Sequence, residues 1–168
     1  MARDTLYTSL VSWVKNYIKV GTPAASIPVI RAQENGARPS SELFATLDLS
    51  NFSPKGFASK EIINTTTNEY AYNYIGTITV SIQFYGKDAL EQLEKLRATT
   101  EHEYTKSLLN DAGSAIMTQG DILDLTGLKD SRYEERGRLE LVMHTTFRST
   151  EEVNWIESVE INGETISI

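Results

Sequence analysis

GTITVSIQFYGKDALEQLEKL (residues 76–96) changes its hydrophobic period at its midpoint. Ile78, Val80, Ile82 and Phe84 occupy every second position, with Thr77, Thr79, Ser81, Gln83 and Tyr85 between them. That alternation is the signature of an antiparallel strand with one wet face. Leu90, Leu93 and Leu96 then recur at helical spacing, Asp88 stands where a helix cap belongs, and Glu91 three residues on completes an Asp version of the capping box. A strand therefore passes through a tight turn straight into a helix. In many enzymes such a turn carries a phosphate cradle or a nucleophile. Here it holds Tyr85, Gly86, Lys87 and Asp88, and a single glycine makes no phosphate loop.

Upstream, Leu6, Leu10, Trp13, Val14, Tyr17 and Ile18 fall at helical spacing, so residues 4–20 read as an amphipathic helix stopped by Gly21 and Pro23. Residues 21–42 hold three prolines and read as a long loop with a short extended piece at PVIR (28–31). LFATLDLS (43–50) alternates, with Leu43, Ala45, Leu47 and Leu49 on one face. FSPKGFASK (52–60) is turn-rich, EIINTTTNEY (61–70) is β-branched, and residues 70–85 form the longest strand candidate.

Downstream, EHEYTKSLLNDAG (101–113) is a second helical segment closed by Gly113. SAIMTQGDILDLTGL (114–128) reads as a short strand with turns. Residues 138–148 alternate again, with Leu139, Leu141, Met143 and Phe147 on one face and Glu140, His144 and Arg148 on the other. Residues 153–161 make a further strand, and Asn162-Gly163 before ETISI is a hairpin signal. Helix, strands, two helical segments and strands again make an α+β fold, a mostly antiparallel sheet with the N-terminal helix and the central helical segment packed on it.

Length and composition limit what such a fold does. The 168 residues suit a single domain, 1–168, with a core that needs no metal or disulfide. With no cysteine, thiolate zinc sites and cysteine nucleophiles are excluded. Arg3, Asp4, Lys15 and Lys19 interrupt the apolar N-terminus, which is neither a signal core nor a membrane span, so no membrane is expected and the cytoplasm is the expected site of synthesis and residence. A net charge of −7 repels phosphate backbones and argues against tight nucleic-acid binding.

No catalytic residue, metal ligand or cofactor is assigned. His102 and His144 read as solvated, and neither has evident partners for a triad or metal site. Glu134 and Glu135 are adjacent in an extended segment and point to opposite faces, which suits a salt-bridged surface or subunit contact better than paired acid–base work. Tyr70, Tyr72 and Tyr74 share one strand face, and in so acidic a chain cross-strand packing or a protein contact is preferred to base stacking.

Three stretches carry a resemblance: PVIRAQENGARPSSELFATLDL (28–49), TITVSIQFYGKDALEQLEKL (77–96) and ILDLTGLKDSRYEERGRLELVM (122–143), with IESVEI (156–161) fitting the same pattern. Together they closely resemble the phage neck or tail terminator family of tailed bacteriophages. The tyrosine-rich NEYAYNYIG (68–76) departs from that pattern. The resemblance implies a structural virion protein, assembled in the host bacterial cytoplasm. It implies a ring, usually a hexamer, at the head-proximal end of the tail tube, which stops tube polymerisation and joins tail to head. The implied partners are further copies of the chain, the tail tube protein, a sheath protein where one exists, and head-completion or connector proteins.

A ring closes through unlike patches on one subunit. The expected patches are the long loop with Arg31, Asn35, Arg38 and Pro39, and the mixed-charge run with Asp130, Arg132, Tyr133, Glu134 and Arg136. DNA is expected to slide through a carboxylate-lined bore without specific binding. Competing readings are another neck, head-completion or baseplate component, a small-molecule enzyme with Tyr70, Tyr72, Tyr74 and His144 around a pocket, and a DNA-binding regulator.

Overall fold

Residues 69–86 form one unbroken strand, and every feature of the architecture is arranged along it. The computed structural model describes residues 2–20, 25–32, 38–64, 69–129, 132–152, 158–161 and 164–167. The chain opens with helix α1 (Ala2–Tyr17) and short strands β1 (Lys19–Val20), β2 (Ala25–Ser26) and β3 (Val29–Arg31). Strands β4 (Leu43–Pro54), β5 (Ser59–Asn64) and β6 (Glu69–Gly86) follow, then helices α2 (Ala89–Ala98) and α3 (Glu103–Asp111). Strands β7 (Ser114–Gln119), β8 (Leu123–Asp124), β9 (Gly127–Lys129), β10 (Arg132–Glu134), β11 (Arg136–Glu152), β12 (Ser158–Ile161) and β13 (Glu164–Ser167) complete it.

The main sheet has the order β3-β4-β6-β11-β7, with β5 also on β6 and β8 also on β11. All its pairings are antiparallel except β3 with β4. This is the expected α+β arrangement. β6 and β11 form the spine, in continuous register from Arg136 opposite Tyr85 to Glu152 opposite Glu69.

Alternation decides which face is covered. Ile78, Val80, Ile82 and Phe84 of β6, Leu139, Leu141 and Met143 of β11, and Leu43, Ala45, Leu47 and Leu49 of β4 are all buried on one face. Leu6, Leu10, Trp13 and Val14 of α1, Leu93 and Leu96 of α2, and Leu109 of α3 join them in one core. Burying a side chain of this size contributes about 1.5–3 kcal/mol each, so this layer dominates the stability. Inside it the Trp13 indole N–H donates to Thr99 Oγ1 at 2.9 Å, and Thr105 Oγ1 donates to the Thr99 carbonyl at 2.8 Å, which satisfies the polar groups of the α2–α3 turn.

Three local expectations are corrected. The first helix ends at Tyr17 rather than at residue 20. Ile18 N–H still bonds to the Val14 carbonyl at 2.9 Å, but Lys19 and Val20 then pair with Ser26 and Ala25, so local antiparallel pairing overrides helical spacing. β4 runs on to Pro54, leaving a turn shorter than the composition of residues 52–60 suggests.

The third concerns Asp88, which does not cap α2: it lies at φ 60° with no side-chain cap bond. The Glu135 carboxylate replaces it, accepting the Leu90 N–H at 2.7 Å. The expected C-terminal hairpin is present, with Ile161 opposite Glu164, while residues 153–157 of the further strand lie outside the described residues.

Candidate functional site

The strand-to-helix turn is a structural joint. Gly86 sits at φ +102°, and a Cβ there would lie 1.7 Å from the Glu42 carbonyl oxygen. Lys87 N–H donates to that same oxygen at 3.2 Å, and Gly86 N–H donates to the Glu135 carbonyl at 2.9 Å. The turn therefore clamps the start of β4 and the start of β11 together.

Beside it, on the face opposite the helices, four side chains stack in a row. The Arg38 guanidinium lies 4.9 Å from the centre of the Phe44 ring, and Phe44 stacks on Tyr85 with centroids 4.9 Å apart and planes at 3°. The Arg136 guanidinium lies 4.8 Å from the Tyr85 ring on the other side. Stacks of this kind add roughly 0.5–1 kcal/mol each at exposed sites. Arg38 also forms a two-pronged ion pair with Glu134, one prong at 3.0 Å.

From this end projects the β9–β10 ribbon. Its base is held by the Leu125 N–H donating to the Arg136 carbonyl at 2.8 Å, and by the Arg136 N–H donating to Thr126 Oγ1 at 3.3 Å. Leu128 and Tyr133 are cross-strand partners, so they point the same way, and they are 68% and 81% exposed. Leu123 and Leu125 add exposed apolar surface at the base.

At the opposite end of the spine, β5, β6 and β11 continue beyond the helices. Because register is unbroken, Tyr70, Tyr72 and Tyr74 lie on the extension of the core face, opposite Glu151, Ser149 and Phe147. A bulge in β4 brings a further aromatic to that face. Asn51 adopts φ 52°, the pairing with β6 shifts between Ser50 and Ser53, and Phe52 turns onto Phe147 with ring centroids 4.1 Å apart.

Gly76 makes room for it, since a Cβ there would lie 2.5 Å from the Phe52 ring. Phe52, Pro54, Phe57, Tyr74 and Phe147 line a shallow apolar cleft, with Phe57 fully exposed at its rim. Lys60 Nζ caps the Tyr70 ring at 3.6 Å. A hydrogen bond to Glu151 raises the Tyr72 phenol above its usual range, with burial and the Glu151 charge adding to the shift.

The family model described as phage neck terminator protein matches residues 4–167. The chain belongs to this family. A neck terminator is a structural component of the tail or neck of the virion and associates with other phage tail and head proteins. No protein of curated function matches the chain. One solved structure is similar over 88% of this chain and 97% of its own, at 14% identity and a TM-score of 0.39, a likeness too distant to support an argument.

In this member of the family the two segments singled out in the sequence meet rather than stand apart. Arg38 and Glu134 bind each other, and Arg136 belongs to the same stack, so these three are engaged within one subunit. Pro39 is half-buried beside them, and Arg132 and Tyr133 are exposed on the ribbon. Arg31 lies elsewhere, bonded to Asp4 at 2.8 Å and 4.3 Å from the Tyr7 ring, and its guanidinium lowers the pKa of Asp4. Asn35 and Asp130 lie outside the described residues.

Glu134 and Glu135 do take separate partners, Arg38 and the Leu90 N–H. His102 Nδ1 lies 3.1 Å from the Tyr17 hydroxyl, and His144 is exposed. Register puts His144 on the face opposite Tyr70, Tyr72 and Tyr74, so the four do not line one pocket. Among the described residues no cluster of three or more acidic or histidine side chains is placed to hold a metal, and no helix is long and apolar enough to cross a membrane. The aromatic cleft went unread in the sequence, because only the bulge at Asn51 brings Phe52 to Phe147.

Proposed function

We propose that this chain, acting as a single domain over residues 1–168, forms a closed ring, a hexamer, at the head-proximal end of the phage tail tube. There it ends tube polymerisation and offers its outer surface to head-completion proteins. The family match across residues 4–167 carries this reading.

The fold supplies what the role requires. The continuous β6–β11 spine is a stiff frame, and exposed apolar side chains stand at both of its ends. A net charge of −7 suits a bore through which DNA slides without being held, lined by carboxylates rather than lysines. Assembly takes place in the host cytoplasm, against the tube protein and, in a contractile tail, the sheath.

Electron microscopy of assembled particles tests this directly. A closed ring of this chain between tube and head is the expected result. Its location anywhere else on the particle, or a bore dominated by lysine and arginine, overturns the proposal.

A further inference from the structure

Two exposed apolar features of the chain differ in shape and lie at opposite ends of one rigid element. The first is a knob, the β9–β10 ribbon with Leu128 and Tyr133 side by side on one face. The second is a hole, the cleft between Phe52, Tyr74 and Phe147 with Phe57 on its rim. The knob is bonded to β11 at Arg136 and the hole contains Phe147 of the same strand. From Arg136 to Phe147 that strand is unbroken, and at roughly 3.3 Å per residue it holds the two features about 36 Å apart.

We propose that the knob of one copy seats in the aromatic cleft of the next, so that Leu128 and Tyr133 complete the uncovered aromatic face. This rests on the ring reading and identifies the contact that builds the ring. Unlike surfaces at the two ends of one subunit are what a head-to-tail closed assembly requires, whereas a two-fold dimer needs one patch that matches itself.

Chemistry favours the same occupant. A tyrosine beside a leucine matches a pocket of phenyl and phenol rings, and aromatic anchors in apolar pockets dominate protein contacts. Charge agrees as well. With Glu134 neutralised by Arg38, Arg132 leaves the described part of the ribbon positive, while β5 and the distal parts of β6 and β11 carry Glu61, Glu69 and Glu151 against Lys60 and Arg148. A net positive knob therefore meets a net negative flap, which favours this orientation over knob to knob or flap to flap.

The absence of native cysteine makes the test direct. Two single-cysteine chains, Tyr133→Cys and Phe57→Cys, are mixed at high concentration and treated with a short bismaleimide, which traps the contact even where free subunits dominate. The expected product joins one Tyr133→Cys chain to one Phe57→Cys chain through their introduced thiols, with links between identical chains minor. Dominant links between two Tyr133→Cys chains would indicate a two-fold contact and overturn the proposal.

A second arm uses Leu128→Asp and Phe57→Asp, both at exposed positions where folding is unaffected. Each alone assembles at least tenfold less well by native mass spectrometry, while an equimolar mixture yields dimers and stops there, since each mixed pair retains one intact contact. Wild-type rings that neither variant weakens would overturn the contact and leave the ring standing. A wild-type chain that does not assemble, together with no link between the two cysteine chains, even in the presence of tail tubes, would overturn both.

Discussion

Replacing Gly86 by alanine is the most demanding test of the joint between β6 and α2. The added Cβ would lie 1.7 Å from the Glu42 carbonyl oxygen and 2.8 Å from its carbon, in a backbone at φ +102°. Comfortable contact with a carbon begins near 3.5 Å, so the Glu42 backbone must withdraw by something on the order of 1.5 Å. Both atoms are main chain, and no rotamer change relieves them.

Three costs follow. A side chain at positive φ costs about 1–2 kcal/mol. The bond from Lys87 N–H to the Glu42 carbonyl is lost, about 1 kcal/mol. Pushing the start of β4 aside also disturbs buried Leu43 and Phe44, and overpacking of that kind costs roughly 1–3 kcal/mol. The expected loss is about 3–6 kcal/mol, out of the roughly 5–15 kcal/mol typical of a folded domain.

Gly56→Ala is the control. Gly56 also has positive φ, +76°, but nothing lies within 4 Å of its added Cβ. It should lose only the backbone part, about 1–2 kcal/mol. Urea unfolding followed by the fluorescence of buried Trp13 measures both. Equal midpoints and slopes for the two variants would refute the close approach of β6 to β4 on which the joint depends.

Two further outcomes test other parts of the molecule. Glu135→Ala removes the carboxylate that accepts the Leu90 N–H and should destabilise the chain by about 1 kcal/mol, as losing a helix cap does; Asp88→Ala should cost less, and the reverse order would show that the sequence-local cap is the functional one. Tyr72 should ionise at higher pH than an ordinary phenol, and Glu151→Ala should bring its midpoint down, read by tyrosinate absorbance against Tyr72→Phe. A folded pKa raised in this way contributes stability that is complete below the unfolded value and lost as pH rises through the folded one; an unmoved Tyr72 midpoint in Glu151→Ala would remove the pairing.

Much of the fold was readable because its signals are local. The core-facing alternation of Ile78, Val80, Ile82 and Phe84, the leucines of α2, the stop at Gly113 and the Asn-Gly hairpin each depend on neighbours a few residues away. The resemblance carried by residues 28–49, 77–96 and 122–143 likewise agrees with the family that the chain matches. Reading Asp88 as the cap failed for a specific reason. A carboxylate 45 residues further along the chain from the helix start occupies that role, and no window along the sequence contains both.

The candidate surfaces divide along the same line. Arg132 and Tyr133 were singled out by residue type, and both are exposed on the ribbon. Arg38 and Glu134 were placed on two separate patches because ring closure requires unlike surfaces, yet they bind each other across 96 residues of chain. The cleft needed two facts absent from any local pattern: the register of β6 on β11, which sets Tyr74 opposite Phe147, and the bulge at Asn51, which turns Phe52 over Gly76.

Residue type and spacing were enough to assign most strands and helices, the apolar face of each, the lack of thiol chemistry and the acidic balance, since all of these are properties of short windows or of simple counts. Which strands pair and in what register, which carboxylate caps α2, and which aromatics stay uncovered where the helices stop emerge only in the folded chain. Those outcomes depend on contacts between residues far apart in the chain, and their free energies are set only once the sheet has brought them together.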